Sequence, residues 1–199
     1  MSVPDDLRRL AQAAQSARAK RSGESASLPP GATDRDIDAF EARYAFAVPT
    51  ELRDWLLFTN GPHIGRTSVR GIQTSRSCDE IDAVWETDWL ERGWIPIAGD
   101  GCGSYYVLAT HPDDGPGHPV FFVDHERQSN GEYSLPTYVC ASGLWSFLRF
   151  YIQEDLGVEG WPFNRDMVLA ADPDLADYSR VPRAWEVEEA DRRSLNQQP

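Results

Sequence analysis

Apolar positions follow a helical period in the first half of the chain and a strand period in the second. In the Ala/Arg-rich stretch from Asp5 to Arg21, Leu7, Leu10, Ala14 and Ala17 fall at helical spacing, a stripe so thin that it needs a docking surface to hold as a helix. Ser22 to Gly31 has the composition of a linker. Thr33 and Asp36 spell a capping box ahead of Ile37, Phe40 and Tyr44. Pro49 opens the next helix, whose buried side is Leu52, Trp55, Leu56 and Phe58, and Asn60-Gly61 stops it. Val69 to Gln73 reads as a short strand. Ser77 and Glu80 form a second capping box, and Ile81, Val84, Trp85 and Trp89 predict a helix over 77–91 with Asp79, Asp82 and Glu86 on its polar side. Asp88 falls inside the apolar stripe of that helix, so the helix is expected to end before it.

From Trp94 the pattern changes. Trp94 to Ala98 predicts a strand, with Pro96 marking an edge or a bulge. Gly99-Asp100-Gly101-Cys102-Gly103 predicts a turn, Tyr105 to Leu108 the returning strand, and His118 to Val123 a third, after a loop from His111 to Gly117. Asn130-Gly131 marks another turn and Tyr138-Val139-Cys140 a last strand. Ser142 is placed to cap a helix carrying Leu144, Phe147, Leu148, Tyr151 and Ile152 on one face and ended by Gly157. Asn164 caps a short helix through Ala171, which Pro173 ends, and the Glu/Arg-rich end from Pro182 reads as weakly ordered. Helices, then a meander, then a closing helix give an α+β fold: a largely antiparallel sheet flanked by N-terminal helices and a closing C-terminal helix.

Charge sharpens this picture. The net charge is −13, and residues 77–157 carry 14 acidic against three basic side chains. The imbalance therefore lies in the patterned part of the chain and not in a tail. Such a surface attracts basic partners and disfavours direct nucleic-acid binding, which needs clustered cations. No apolar run approaches the length of a membrane span, and residues 1–20 lack the apolar core of a signal peptide. Cys78, Cys102 and Cys140 form no CxxC pair and leave an odd count, which points to a reducing, cytoplasmic setting.

The motifs offer little chemistry. Gly99, Gly101 and Gly103 lack both the lysine and the following helix of a phosphate loop, so they serve a turn. Asp124-His125-Glu126, with His63, His111 and His118 scattered elsewhere, has no metal-ligand spacing, and alternation along the strand puts Asp124 and Glu126 on the same side. Cys102 with His125 is the one pairing that could make an activated nucleophile, as in a hydrolase. The tryptophans of the 77–91 helix and Trp94 read as core in preference to a ligand platform. No residue is assigned to catalysis, metal or cofactor.

Several short motifs follow one another in order: Leu28-Pro29-Pro30-Gly31-Ala32-Thr33 before Ile37 and Phe40, Val48-Pro49 with Leu52, Trp55, Leu56 and Asn60-Gly61, and the Trp-rich helix. They continue with Ile95 to Leu108 through the glycine turn, Val120 to Glu126 and the closing helix at 142–152. This order resembles the SUKH superfamily of fungal cell-wall regulators and bacterial immunity proteins. The resemblance implies a SUKH-like domain over 28–157, preceded by a helix and linker at 1–27 and followed by an extension at 158–199. It implies a non-enzymatic binding fold, and for many bacterial members an intracellular immunity protein that neutralises a cognate toxin, often a nuclease with a basic cleft. Asp79, Asp82, Glu86, Asp113 and Asp114 are then the expected contacts with such a partner. A regulatory or scaffolding module like the fungal relative is the alternative.

Overall fold

The computed structural model describes residues 2–74, 76, 79–127 and 135–195. Three helices come first: α1 (Asp5–Ser22), α2 (Asp34–Tyr44) and α3 (Thr50–Phe58). A short α4 (Thr87–Arg92) leads into a meander of β1 (Trp94–Gly99), β2 (Tyr105–Ala109), β3 (Val120–Val123) and β4 (Tyr138–Ala141), which α5 (Leu144–Asp155) closes. The helices α6 (Arg165–Ala171) and α7 (Ala184–Leu195) follow. The sheet order is β1-β2-β3-β4 and every pairing is antiparallel, so the α+β class is the one read from the pattern. The register slips between Pro96 and Ala98, where a residue without an N–H is accommodated by a bulge.

All strand residues except Tyr105 are buried, because both faces of the sheet are covered. On one face Tyr106 packs against Phe147 and Tyr151 of α5 and against Trp161. On the other, Tyr105 meets Trp89 of α4, and Phe121 lies between Trp94 and Tyr178. The outer side of α5 receives α1 and α3. Leu7, Ala11 and Ala14 of α1 are buried there, and Arg149–Asp6 and Arg21–Asp155 ion pairs fasten the helix across its length. The thin stripe is thus a helix because it docks.

Both sheet edges are sealed. Arg70 N donates to Ile97 O at 2.8 Å beside a Val69–Ala98 bridge, and Val139 N donates to Pro182 O at 2.9 Å beside a Val139–Arg183 bridge. The stretch from Pro182, expected to be weakly ordered, continues as α7, with Ala184 and Trp185 buried.

Several local readings change. The 77–91 helix is replaced by turns over 79–86 and the six residues of α4, so Asp79, Asp82 and Glu86 share no helical face. Long-range pairing overrides the period here. Gly71 N donates to Asp79 O and Ile81 N to Gly71 O, both at 2.9 Å, which commits 79–81 to a parallel bridge. Asp88 lies in the first turn of a helix that begins before it and does not end there. Ser77 and the Asn130-Gly131 turn lie outside the described residues. Ser142 does not cap α5; its N and Oγ both donate to the buried Asp172 carboxylate, leaving Gly143 at the N-cap. Residues 125–127 coil into a 3-10 turn, so strand alternation does not place Asp124 and Glu126.

Candidate interaction surface

Two motifs hold the helical hairpin against the β1 edge. The Leu28–Ala32 segment is stapled to the end of α3: Ala32 N donates to Leu56 O, Thr59 Oγ1 to Pro29 O and Asn60 N to Pro30 O. Gly31 is fixed by contact, since a Cβ there would lie 1.8 Å from Leu57 O. Asn60 then clamps the peptide of Ile72 at both ends, donating Nδ2 to Ile72 O at 2.6 Å and accepting Ile72 N on Oδ1 at 2.8 Å. Gly61 (φ 67°) turns the chain into this clamp. The clamp aligns residues 69–72 with β1, and that alignment sets the position of 79–91.

Over 79–91 the sequence holds six acidic side chains and no basic one. They face two ways. Asp82 Oδ2 accepts from Tyr44 Oη at 2.9 Å and from Arg43 at 3.1 Å. Burial, then the hydrogen bond to that carboxylate, raises the Tyr44 phenol above its ordinary range. Tyr44 joins Phe40 and Phe46 around Trp85, whose ring centroid lies 5.2–5.7 Å from theirs. Trp85 Nε1 donates to Trp94 O at 2.7 Å, and Trp94 Nε1 donates to Asp114 Oδ2 at 2.9 Å. A chain of contacts thus runs Asp82–Tyr44–Trp85–Trp94–Asp114 along one end of the molecule. Asp113, in the same 3-10 turn as Asp114, leaves 86% of its side chain in solvent. Glu86, Asp88 and Glu91 are exposed around α4. Asp79 sits apart, accepting from Ser68 Oγ at 2.7 Å on the side of the 69–71 segment.

Four of the five expected contact residues are therefore brought to one end, but only Glu86 and Asp113 point outward; Asp82 and Asp114 are bonded inward. The half-buried Tyr44, Phe46 and Trp85 beside them were not singled out as contacts in the sequence. Tyr44 ends α2 on the face the pattern reads as core, and Phe46 follows just after it. What this end offers is an aromatic floor inside an acidic rim, an arrangement suited to a basic protein surface.

The same chain matches the model of the SMI1/KNR4 family (SUKH-1) over residues 31–149, more than half its length. It belongs to that family. No curated protein and no solved structure matches it. The SUKH-1 match takes in Gly31 and Ala32 of the first hairpin motif, the Asn60 clamp, the acidic segment, the sheet and the first half of α5. Members of the SUKH family are generally non-enzymatic immunity or regulatory proteins.

Asp100 Oδ1 accepts the N–H groups of Cys102 and Ser104 at 2.8 and 2.9 Å, so the glycine turn already holds an internal carboxylate where a phosphate would need donors. His125 places Nδ1 2.9 Å from Ser104 Oγ, and its N–H also reaches that oxygen. Ser104, which the pattern did not single out, is 3% exposed and its hydroxyl is engaged by His125. Cys140 is buried and donates to Val120 O, and burial raises its thiol well above the usual range. No group of three or more metal-ligating side chains converges, and no helix is long and apolar enough to cross a membrane, among the described residues.

Proposed function

We propose that this SUKH-1 protein is an intracellular immunity protein that binds a cognate toxin and covers its basic active-site cleft. The observation that carries the reading is the acidic rim over 79–91 and 113–114 around the half-buried Tyr44, Phe46 and Trp85, set within a domain whose family often supplies immunity proteins. The outward carboxylates Glu86, Asp88, Glu91 and Asp113 attract the cleft and speed encounter, an effect of orders of magnitude at low salt. Trp85 supplies the desolvated anchor on which slow dissociation depends. Inhibition needs only occlusion, so no catalytic group is required.

Co-expression tests this directly. Cells producing the toxin candidate encoded beside this gene are expected to grow when the protein is present, and the two chains to co-purify. Failure to protect against any adjacent toxin candidate, with only endogenous cell-wall or signalling proteins recovered on pull-down, overturns the reading in favour of a regulatory scaffold.

A further inference from the structure

A groove of about 790 Å³ opens between the linker that follows α1 and the segment around the Asn60 clamp. This is within the range of ligand-sized clefts. Gln15 of α1 lines it and is 5% exposed. Its Nε2 donates to Ser25 O at 2.7 Å, but its Oε1 is buried with no partner. A buried acceptor left unmet is unfavourable, so an occupant that brings a donor is favoured.

The walls say which donor. Glu24, Asp36 and Asp79 line the groove against Arg76. Arg76 and the adjacent Arg18 are both engaged by Glu24 and by His63 Nδ1. Burial, then the Arg18 guanidinium, lowers the His63 imidazole below its ordinary range, so at neutral pH it adds no positive charge. Three carboxylates therefore outweigh two guanidinium groups. An anion would meet this excess and the Gln15 oxygen together; an apolar ligand would leave the oxygen unmet. Leu28, Pro29, Pro30 and Ile72 add an apolar side against which a methylene stem can lie.

We infer that this groove receives an arginine side chain from an extended segment of the protein partner, its N–H groups meeting Gln15 Oε1 and its stem lying along Leu28–Pro30. The inference rests on the proposed binding of a basic partner, and Asp79, apart from the outward acidic end, is the one residue of the acidic segment that lines the groove. It adds a second contact region, built partly from α1 and the linker outside the family match.

The test is an NMR titration of the full ¹⁵N-labelled chain with N-acetyl-arginine N-methylamide. The Gln15 side-chain amide and the Ser25, Asn60 and Gly61 N–H signals are expected to shift and saturate. The neutral citrulline counterpart should bind at least about tenfold more weakly. Ser27→Trp, which fills the groove without removing a side-chain hydrogen bond, should weaken the arginine probe by about tenfold, and Ser27→Ala should not. Equal response to citrulline, shifts confined to 80–91, or free L-arginine binding tighter than the blocked form overturns the inference. No toxin is needed. A blank titration with intact toxin protection removes the groove inference alone, and a positive titration without protection removes the immunity reading alone.

Discussion

Replacing Asn60 with aspartate changes one N–H₂ group to an oxygen and leaves the shape intact. In the parent, Asn60 meets both the N–H and the C=O of Ile72, a residue 1% exposed. The aspartate keeps the acceptor half of this clamp and turns its second oxygen toward Ile72 O. One hydrogen bond is lost, about 0.5–1.5 kcal/mol, and a buried carbonyl is left facing a like charge, about 1–3 kcal/mol more, so the expected cost is about 2–4 kcal/mol. For a chain of this size that lowers Tm by about 5–15 °C. Urea unfolding should show the loss as a lower midpoint at unchanged slope. The pH dependence isolates the cause. The introduced carboxyl is expected to titrate above its unfolded value of about 3.9. The folded state then takes up a proton that the unfolded state does not, and the deficit relative to the parent shrinks as pH falls through the raised value. A loss under about 0.5 kcal/mol, or a deficit of several kcal/mol that ignores pH, would refute the clamp as the origin.

Neutralising Glu86, Asp88 and Glu91 together with glutamine should slow association with the proposed toxin partner at least about tenfold at low salt and flatten its salt dependence, with stability changed by under about 0.5 kcal/mol; stopped-flow binding and melting curves read both. For His63 the folded pKa lies below the unfolded value of about 6.5, so its contribution is present above that pH and lost as pH falls through the lower folded value. NMR titration of the ring should give a value below 6.5, and one at or above 6.5 contradicts the burial of the ring and the packing of Arg18 against it. Asp172→Asn replaces an acceptor of two Ser142 donors and should cost about 1.5–3 kcal/mol, seen as faster amide exchange in α6 and in the first turn of α5.

Regular pattern was legible wherever local signals and tertiary packing agree. The Thr33/Asp36 capping box is present in both halves, and Asn164 caps α6 as its side chain predicts. The four strands announced themselves through apolar runs because both faces are covered. The 77–91 segment misled because its helical spacing arises from two unrelated demands. Ile81 is buried beside the Gly71 bridge, and Trp85 is drawn into the Phe40–Tyr44–Phe46 cluster, four residues apart by coincidence of packing. Ser142 misled for a similar reason, since a serine before a helix caps it only when no stronger acceptor competes, and Asp172 arrives from 30 residues downstream. The candidate site was half legible. Its charge could be counted along the chain, but which carboxylates face inward depends on Tyr44, Arg43 and Trp94, whose positions no local pattern encodes.

This division within the acidic end decides how its role can be probed. Asp82 holds Tyr44 and Arg43, and Asp114 holds the Trp94 indole, so both carboxylates fix the aromatic floor as well as adding charge. Removing either leaves a half-buried hydroxyl or indole N–H without its acceptor, at about 1–3 kcal/mol, and loosens the surface a partner would meet. A slower association after such a change therefore confounds lost attraction with a disturbed floor. Glu86, Asp88, Glu91 and Asp113 are exposed, so their removal subtracts field while Trp85 keeps its neighbours. Steering predicts that these outward groups govern the on-rate and its salt dependence, while the inward pair governs how long the complex lasts. The two sets should separate in a kinetic experiment even though they lie only a few residues apart in the chain.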